Sequence, residues 1–120
     1  MEPAPGAPGP VVQGFAGTGF RVDGVRYAAL LLTAGEAREW TPPALAALTE
    51  SDLAPLLAAD PEFVILGTGA TLVRPPKALR DGFAARGLGL EAMDSRAAAR
   101  AWGVLRAEGR LIAAALYPLG

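Results

Sequence analysis

The pattern of apolar and polar positions changes its period along the chain. Two β-rich runs near the start flank Asp23-Gly24, which predicts a two-residue hairpin turn because both residues tolerate positive φ. A third short run stops before Pro42-Pro43, since proline cannot donate to a strand ladder. Strands are therefore expected at three places: 18–22, 25–33 and 37–40. The first third of the chain is predicted to be antiparallel β-structure.

A helical period follows this β portion. Leucines recur at helical spacing at positions 53, 56 and 57. Thr49 and Asp52 are the two candidate N-cap residues. Pro55 favours Asp52, because it would then lie in the first turn, where a missing N–H costs nothing.

The second half alternates between strand and helix patterns. Three apolar runs, "EFVILG", "LGLEAM" and "RLIAAALYPL", are predicted strands, and "PKALRDGFAARG" and "DSRAAARAWGVLRAEG" are predicted helices. Pro76 is expected near the start of the first helix and Gly87 at its end. The inward face of the second helix is predicted from its spacing: Ala98, Ala101, Trp102 and Leu105. Crossovers of this length imply parallel neighbours. The predicted fold class is α/β, with a mixed central sheet and an N-terminal antiparallel β portion followed by β-α-β-α-β units.

Length and composition indicate one domain. The chain has 120 residues, of which 52% are hydrophobic, enough for a single core. Residues 1–10, "MEPAPGAPGP", are interpreted as a disordered proline-rich tail, and residues 11–120 as the domain. No signal peptide is evident, and every apolar stretch is shorter than the roughly 20 residues that span a bilayer. A cytoplasmic protein without a membrane span is expected.

Charge and residue types limit the chemistry. The net charge of -1 favours neither nucleic acid nor an anionic membrane, and no nucleic-acid partner is expected. Histidine and cysteine are absent, which removes the commonest general base, thiol nucleophiles and the usual zinc ligands. No cofactor, metal or catalytic residue is predicted. The charge is uneven, because residues 1–62 hold eight acidic and three basic residues (net -5) and residues 63–120 hold four and eight (net +4).

The glycine pair in "VILGTGATLVRPP" is the first candidate binding site. Gly67, Thr68 and Gly69 follow a predicted parallel strand, at the edge where open α/β sheets place their ligands. The dinucleotide fingerprint is incomplete, because Leu72 stands where the third glycine belongs and the helix begins later. The spacing therefore favours a structural turn over an anion cradle. Three nearby cations keep the cradle as an alternative: Arg74, Lys77 and Arg80.

Carboxylates near the next strand are the second candidates. Asp94 ends that strand and is expected to face the same ligand-binding edge of the sheet as the glycine pair. It is therefore added to the candidate ligand pocket. In "MDSR", Asp94 or Ser95 can also cap the following helix, and capping is favoured over catalysis. Glu91 is interpreted as solvent-facing or paired with an arginine rather than as a general base. The arginines at 96, 100, 106 and 110 are interpreted as a solvated helix face.

Several stretches taken together resemble one known family. They are "GFRVDGVRY", "LLLT", Trp40, "LTESDL", "VILGTGA", "RPP", "GLGLEAMDS" and "EGRLIAAALYPL". Their order and spacing, over roughly residues 11–119, resemble the family of mitochondrial NADH:ubiquinone oxidoreductase (complex I) assembly factor 3 and its small bacterial and archaeal relatives. The family's loop after its third main strand corresponds to Gly67, Thr68 and Gly69, and its acidic turn corresponds to Met93 and Asp94.

The resemblance implies a single α/β domain with a mixed central sheet. It also implies a function without established catalysis, since the mitochondrial branch acts as an assembly factor through protein contacts. The chain departs from the family near the last helix. Relatives often carry a threonine, an aromatic residue and an asparagine where this chain has Ala101, Trp102 and Gly103, which puts a ligand site built from those polar residues in doubt.

Three functions follow from these observations. The leading hypothesis is a non-catalytic interaction or assembly module with a protein partner of unknown identity. The alternative is a small-anion or nucleotide-binding protein that uses the glycine turn with Arg74 and Lys77. The third is an enzyme that uses Asp94 or Glu91, which is least favoured because no catalytic constellation is present. The sequence does not determine the oligomeric state.

Overall fold

The computed structural model describes residues 9–120, which form two sheets and three α-helices. The strands are β1 Gly14–Ala16, β2 Gly19–Val22, β3 Val25–Tyr27, β4 Leu30–Leu32, β5 Ala37–Glu39, β6 Phe63–Gly67, β7 Gly89–Met93 and β8 Ala113–Leu116. The helices are α1 Ala54–Ala58, α2 Lys77–Ala85 and α3 Ser95–Ala107, with 3-10 turns at Leu45–Ala47 and Ser51–Leu53. The predicted α/β class, with an antiparallel β portion before β-α-β-α-β units, is confirmed.

The first sheet contains β1, β2 and β3 in that order, all antiparallel. Asp23 and Gly24 have φ values of 51° and 79° and connect the paired residues Val22 and Val25, so the predicted hairpin turn is confirmed. The prediction of one strand over 25–33 is wrong. The chain instead leaves the first sheet after β3, and β4 pairs with β5 and β8 in the second sheet. A continuous apolar run does not reveal such a change of sheet.

The second sheet has the strand order β5-β4-β8-β6-β7. β4 is antiparallel to both of its neighbours, whereas β6 is parallel to β7 and β8, so the sheet is mixed. Successive side chains point to opposite faces. Ile65 lies in the core that α3 and β2 cover, while Val64 and Leu66 lie in the core that α1 and α2 cover. The central strands are therefore buried on both faces.

The first helix does not begin as predicted. Pro55 lies in its first turn, as expected, but no side chain caps the helix, because the 3-10 turn Ser51–Leu53 runs directly into it. The Asp52 carboxylate accepts hydrogen bonds from the amide and the hydroxyl of Thr49, each at 2.9 Å. The predicted N-cap role of Asp52 in α1 is therefore wrong: its carboxylate binds the competing candidate instead. In α2, Gly87 follows the last turn with a φ of 68°, in agreement with the predicted stop.

The predicted tail lies mostly outside the described residues, which begin at Gly9. Its last residue, Pro10, is buried, and the Pro10 carbonyl accepts a hydrogen bond of 2.8 Å from the indole N–H of Trp102. Trp102 is itself fully buried in α3 and belongs to the core on that face. Pro10 therefore belongs to the domain rather than to a tail.

The strand order creates a crevice at one edge of the second sheet. β6 lies between β7 and β8, and the helices that follow β6 and β7 lie on opposite faces. The chain leaving β6 and the chain leaving β7 must therefore turn away from each other at the carboxyl ends of these strands. Open α/β sheets bind ligands at such a switch point. This topology places the predicted glycine turn and Asp94 at the same crevice.

Tyr117 joins the end of β8 to the segment after β5. Its ring packs edge-on against Trp40 with centroids 5.2 Å apart, and its hydroxyl donates to the Pro43 carbonyl at 2.9 Å. Burial, helped by the nearby Asp52 carboxylate, raises the pKa of Tyr117 to about 12. An unfolded tyrosine has a pKa of about 10. The folded state therefore favours the neutral phenol.

Alkaline pH is expected to destabilise the protein through Tyr117. The stabilisation from its neutral phenol is complete below pH 10 and is lost as the pH rises through about 12. The Tyr117→Phe variant should not lose stability in this way at alkaline pH. At neutral pH it should lower the free energy of unfolding by about 1 kcal/mol, because the Pro43 carbonyl loses its donor. Urea unfolding followed by circular dichroism across this pH range measures both effects. Tyr27→Phe is the matched control, and equal pH profiles for the two variants would contradict the prediction.

Candidate functional site

The crevice brings the loop after β6 against the start of α3. The amide of Thr68 donates to the Met93 carbonyl, and the amide of Ser95 donates to the Gly69 carbonyl, both at 2.8 Å. The Ser95 hydroxyl in turn accepts from the Gly69 amide at 2.8 Å, and Ser95 is fully buried. These hydrogen bonds join the two sides of the crevice. The amides of Thr68 and Gly69, which an anion cradle would use, already donate within the chain.

Gly67 and Gly69 are each required for a different structural reason. A Cβ atom on Gly67 would lie 2.8 Å from the Ser95 hydroxyl oxygen and 3.0 Å from the Ser95 Cα, so only glycine allows α3 to approach the strand end. Gly69 has a φ of 108°, a conformation that other residues rarely adopt. Close packing and backbone geometry therefore account for both positions, in line with the structural turn that the sequence favours.

Thr68 shapes the rest of the loop. Its hydroxyl donates to the Thr71 carbonyl at 2.7 Å and accepts from the Val73 amide at 3.0 Å, and the residue is almost fully buried. The loop bends around this side chain. As a result, Leu72 and Val73 are held outward, with 63% and 45% of their surfaces exposed. Sequence reasoning assigned neither residue to a site, because apolar residues beside a buried strand are usually core.

The two candidate carboxylates differ in their roles: Asp94 caps a helix, and Glu91 faces solvent. Asp94 caps α3, since its Oδ1 accepts from the Ala97 amide at 2.9 Å, and capping was the favoured interpretation. Ser95, the alternative cap, bonds to Gly69 instead. Glu91 is exposed on β7, an edge strand of the second sheet. Of its two predicted positions, facing solvent or paired with an arginine, the structure shows the first.

The predicted cations are exposed or bonded to other groups near α2. Arg74 is exposed, and Lys77 pairs with Asp81 one turn further along α2 at 2.6 Å. The hydrogen bond from Lys77 lowers the pKa of Asp81. Arg80 donates to the Pro75 carbonyl at 3.1 Å. Within residues 9–120, no hydrogen bond or ion pair links any of these cations to the glycine turn. Anion binding at the turn stays a prediction.

The prediction of a solvated arginine face on α3 is wrong at one position. Arg106 is buried, and its guanidinium donates to the Arg110 carbonyl, which follows the end of the helix. Arg110 pairs with Glu62 at 2.8 Å, whereas Arg96 and Arg100 are exposed, as predicted. Helical spacing does not show that a carbonyl just beyond the helix end accepts this hydrogen bond.

Several open grooves lie away from the crevice. One has a volume of about 680 Å³ and lies between the β4–β5 turn and α1, and another of about 150 Å³ lies between β1 and α3. In the described part of the chain, no group of three or more acidic, histidine or cysteine side chains is placed to hold a metal ion. No described helix has the length and apolarity needed to cross a membrane.

Comparison with known proteins assigns the family. Residues 12–117 match the model of a protein family of unknown function, DUF498/DUF598. The chain belongs to the DUF498/DUF598 family. A similar, uncharacterised protein from Rhodobacter capsulatus is 35% identical over 111 residues, which cover 90% of this chain and 84% of that protein. The predicted kinship with small bacterial proteins is therefore confirmed.

Solved structures of bacterial proteins share the fold. A crystal structure from Bordetella parapertussis is 32% identical, with a TM-score of 0.82, and the match covers 91% of this chain and 95% of that one. The solution structure of a Bordetella pertussis protein, described as a Mth938-like domain, is 27% identical with a TM-score of 0.80, covering 100% and 91%. These relatives carry no stated link to complex I, so that part of the resemblance stays a prediction.

Removing the Ser95 hydroxyl is expected to destabilise the domain. Ser95→Ala would leave the Gly69 amide without an acceptor in a fully buried position, which should cost about 1–3 kcal/mol of unfolding free energy. Ser51→Ala is the matched control, because Ser51 is exposed and should change stability by less than about 0.5 kcal/mol. Chemical unfolding of the three proteins measures the difference. Equal stabilities of the two variants would show that the hydrogen bond across the crevice contributes little.

A thermal-shift panel of phosphates, nucleotides and carboxylates tests the anion cradle. Because the Thr68 and Gly69 amides already donate within the chain, we expect no ligand to raise the melting temperature. Arg74→Ala provides the control. A saturable rise that this variant abolishes would show that the loop opens and binds an anion.

Proposed function

We propose that this member of the DUF498/DUF598 family is a non-catalytic protein-interaction module that acts in the cytoplasm. Following the family resemblance, the proposal extends to the assembly of a respiratory complex, complex I. One observation carries the proposal: the loop after β6 holds two adjacent apolar side chains, Leu72 and Val73, in solvent. Contiguous exposed apolar side chains on a soluble protein are typical of an interaction site, whereas single ones are common.

Hydrogen bonds within the chain fix the conformation of the loop in the absence of a partner. Its base is bonded to α3 through Gly69 and Ser95, and its tip is bonded to the Thr68 hydroxyl. A surface held in its bound shape loses little conformational entropy on association. Covering Leu72 and Val73 would contribute about 1.5–3 kcal/mol for each side chain that becomes fully buried. The pair is thus suited to act as an anchor within a larger interface.

The polar groups near the loop support a role without catalysis. The side chains of Thr68, Asp94 and Ser95 each hold backbone groups in place, and Glu91 faces solvent on another element. A general acid or base must be free to reach a substrate proton. Residues whose oxygen atoms already maintain the fold are poorly suited to that task, which favours contact over chemistry.

Co-purification from the native cell tests the proposal. The tagged chain is expected to retain a protein partner, and the double variant Leu72→Ser/Val73→Ser should lose most of it because the apolar anchor is gone. The control Val25→Ser/Val104→Ser also removes two exposed valines, from β3 and α3, and should retain the partner. Melting temperatures establish that both variants are folded.

Two results would oppose the proposal at different levels. If the unaltered chain repeatedly retains no protein, or if the loop variant and the control lose the partner equally, the interaction role of this loop is abandoned. If a partner is retained but mass spectrometry identifies no complex I subunit or assembly protein, the link to complex I is abandoned and the interaction module remains.

A further inference from the structure

A small groove lies where the first sheet packs on α3. Its volume is about 150 Å³, and it is lined by Val12, Gln13, Gly14, Phe15, Ala99 and Arg100. Its lining combines apolar side chains with one arginine. The groove is separate from the loop that carries Leu72 and Val73.

The aromatic residue in this groove is held in place from two sides. Phe15 packs edge-on against the buried Phe20, with ring centroids 6.1 Å apart. The guanidinium of Arg96 lies over the Phe15 ring, 4.8 Å from its centroid. Even so, 38% of Phe15 is exposed. An ordered aromatic side chain that remains partly open to solvent, next to arginines, has the composition of an interface anchor.

Two arginines of α3 border the groove: Arg100 lines it, and Arg96 lies over its Phe15 ring. Arg96 and Arg100 are exposed one turn apart on α3, where like charges repel. Arg21, the strand partner of Gly14, and Arg26, the strand partner of Arg21, lie on the opposite face of the first sheet from Phe15, so they do not border the groove. In the part of the chain that the structure describes, neither Arg96 nor Arg100 forms an ion pair with a carboxylate. The positive charge around the groove is therefore not compensated locally.

We propose that this groove binds an acidic segment of a partner protein. Carboxylates of the segment would pair with Arg96 and Arg100, whose planar guanidinium groups can bind a carboxylate through two hydrogen bonds. An apolar side chain of the same segment would contact Phe15, Val12 and Ala99. The inference rests on the proposed role in protein contact but uses a different surface.

A nucleic acid fits the same surface less well. The chain has a net charge of -1, and single-stranded nucleic acids require several exposed aromatic side chains for successive bases. Phe15 is the one aromatic residue among the exposed large hydrophobic side chains of the described chain. A mixed acidic and apolar segment matches both the uncompensated arginines and the single ring.

Titration of a short peptide against the isotope-labelled full chain tests the groove. The probe has one leucine flanked by glutamates, and a second probe replaces each glutamate by glutamine. We expect the acidic probe to shift the NMR signals of residues 12–15 and 96–100. Arg100→Glu and Arg96→Glu should each weaken binding at least about tenfold. Phe15→Ala should weaken it as well, because the leucine loses its contact.

Arg38→Glu is the matched control. It makes the same change in net charge on β5, where Arg38 forms an exposed pair with Glu36, and should alter the affinity less than about twofold. Equal weakening by Arg38→Glu and Arg100→Glu would overturn the proposal, because the overall field would then explain binding. Melting temperatures establish that each variant is folded.

Other outcomes would also overturn the inference. They are an acidic probe that does not bind, a glutamine probe that binds equally, and an oligouridine RNA that binds the same residues more tightly. Signals of the groove that shift with protein concentration alone would identify a second copy of the chain as the occupant. The variant Leu72→Ser/Val73→Ser should still bind the acidic probe, so failure of this inference is distinguishable from failure of the proposed function.

Discussion

The reciprocal hydrogen bonds between Gly69 and Ser95 tie the loop after β6 to the first turn of α3, and much of the second half depends on them. β6 lies between its two parallel neighbours, so the chain that leaves it would otherwise separate from the helix after β7. Gly67 allows the approach because no other residue leaves room for the Ser95 backbone. The hydrogen bonds then close a crevice in which other α/β folds hold ligands.

Closure of this crevice changes what the loop presents to the solvent. Donors that would face an anion are used inside the chain, and the Thr68 hydroxyl turns the remaining loop outward. Leu72 and Val73 become a fixed apolar surface as a consequence of this internal bonding. The loop and the groove beside Phe15 are then two surfaces whose shapes the core maintains, one apolar and one bordered by arginines.

Predictions from the sequence succeeded where the cause is local. Asp23-Gly24 adopts positive φ values, Asp94 accepts a bond from an amide three residues away, and Gly87 ends its helix, all through short-range geometry. Predictions failed for two reasons. The strand predicted over 25–33 is divided because β4 pairs with β8, far along the chain. Asp52 and Arg106 bond to residues only three and four positions away, through turns at helix ends that helical spacing does not specify. In the candidate site, the Asp94 cap was predictable, whereas the bond from Gly69 to Ser95 spans 26 residues.

The sequence by itself determined the α/β class, most of the strands and helices, and the absence of histidine and cysteine chemistry, because these follow from residue types and from periods of two and 3.6 residues. Only the tertiary structure decided that the strand after the hairpin enters a second sheet, that the glycine turn is bonded to α3, and that Leu72, Val73 and Phe15 meet solvent. The physical reason is that exposure and hydrogen-bond satisfaction depend on which distant segments become neighbours, and local patterns carry no record of that pairing.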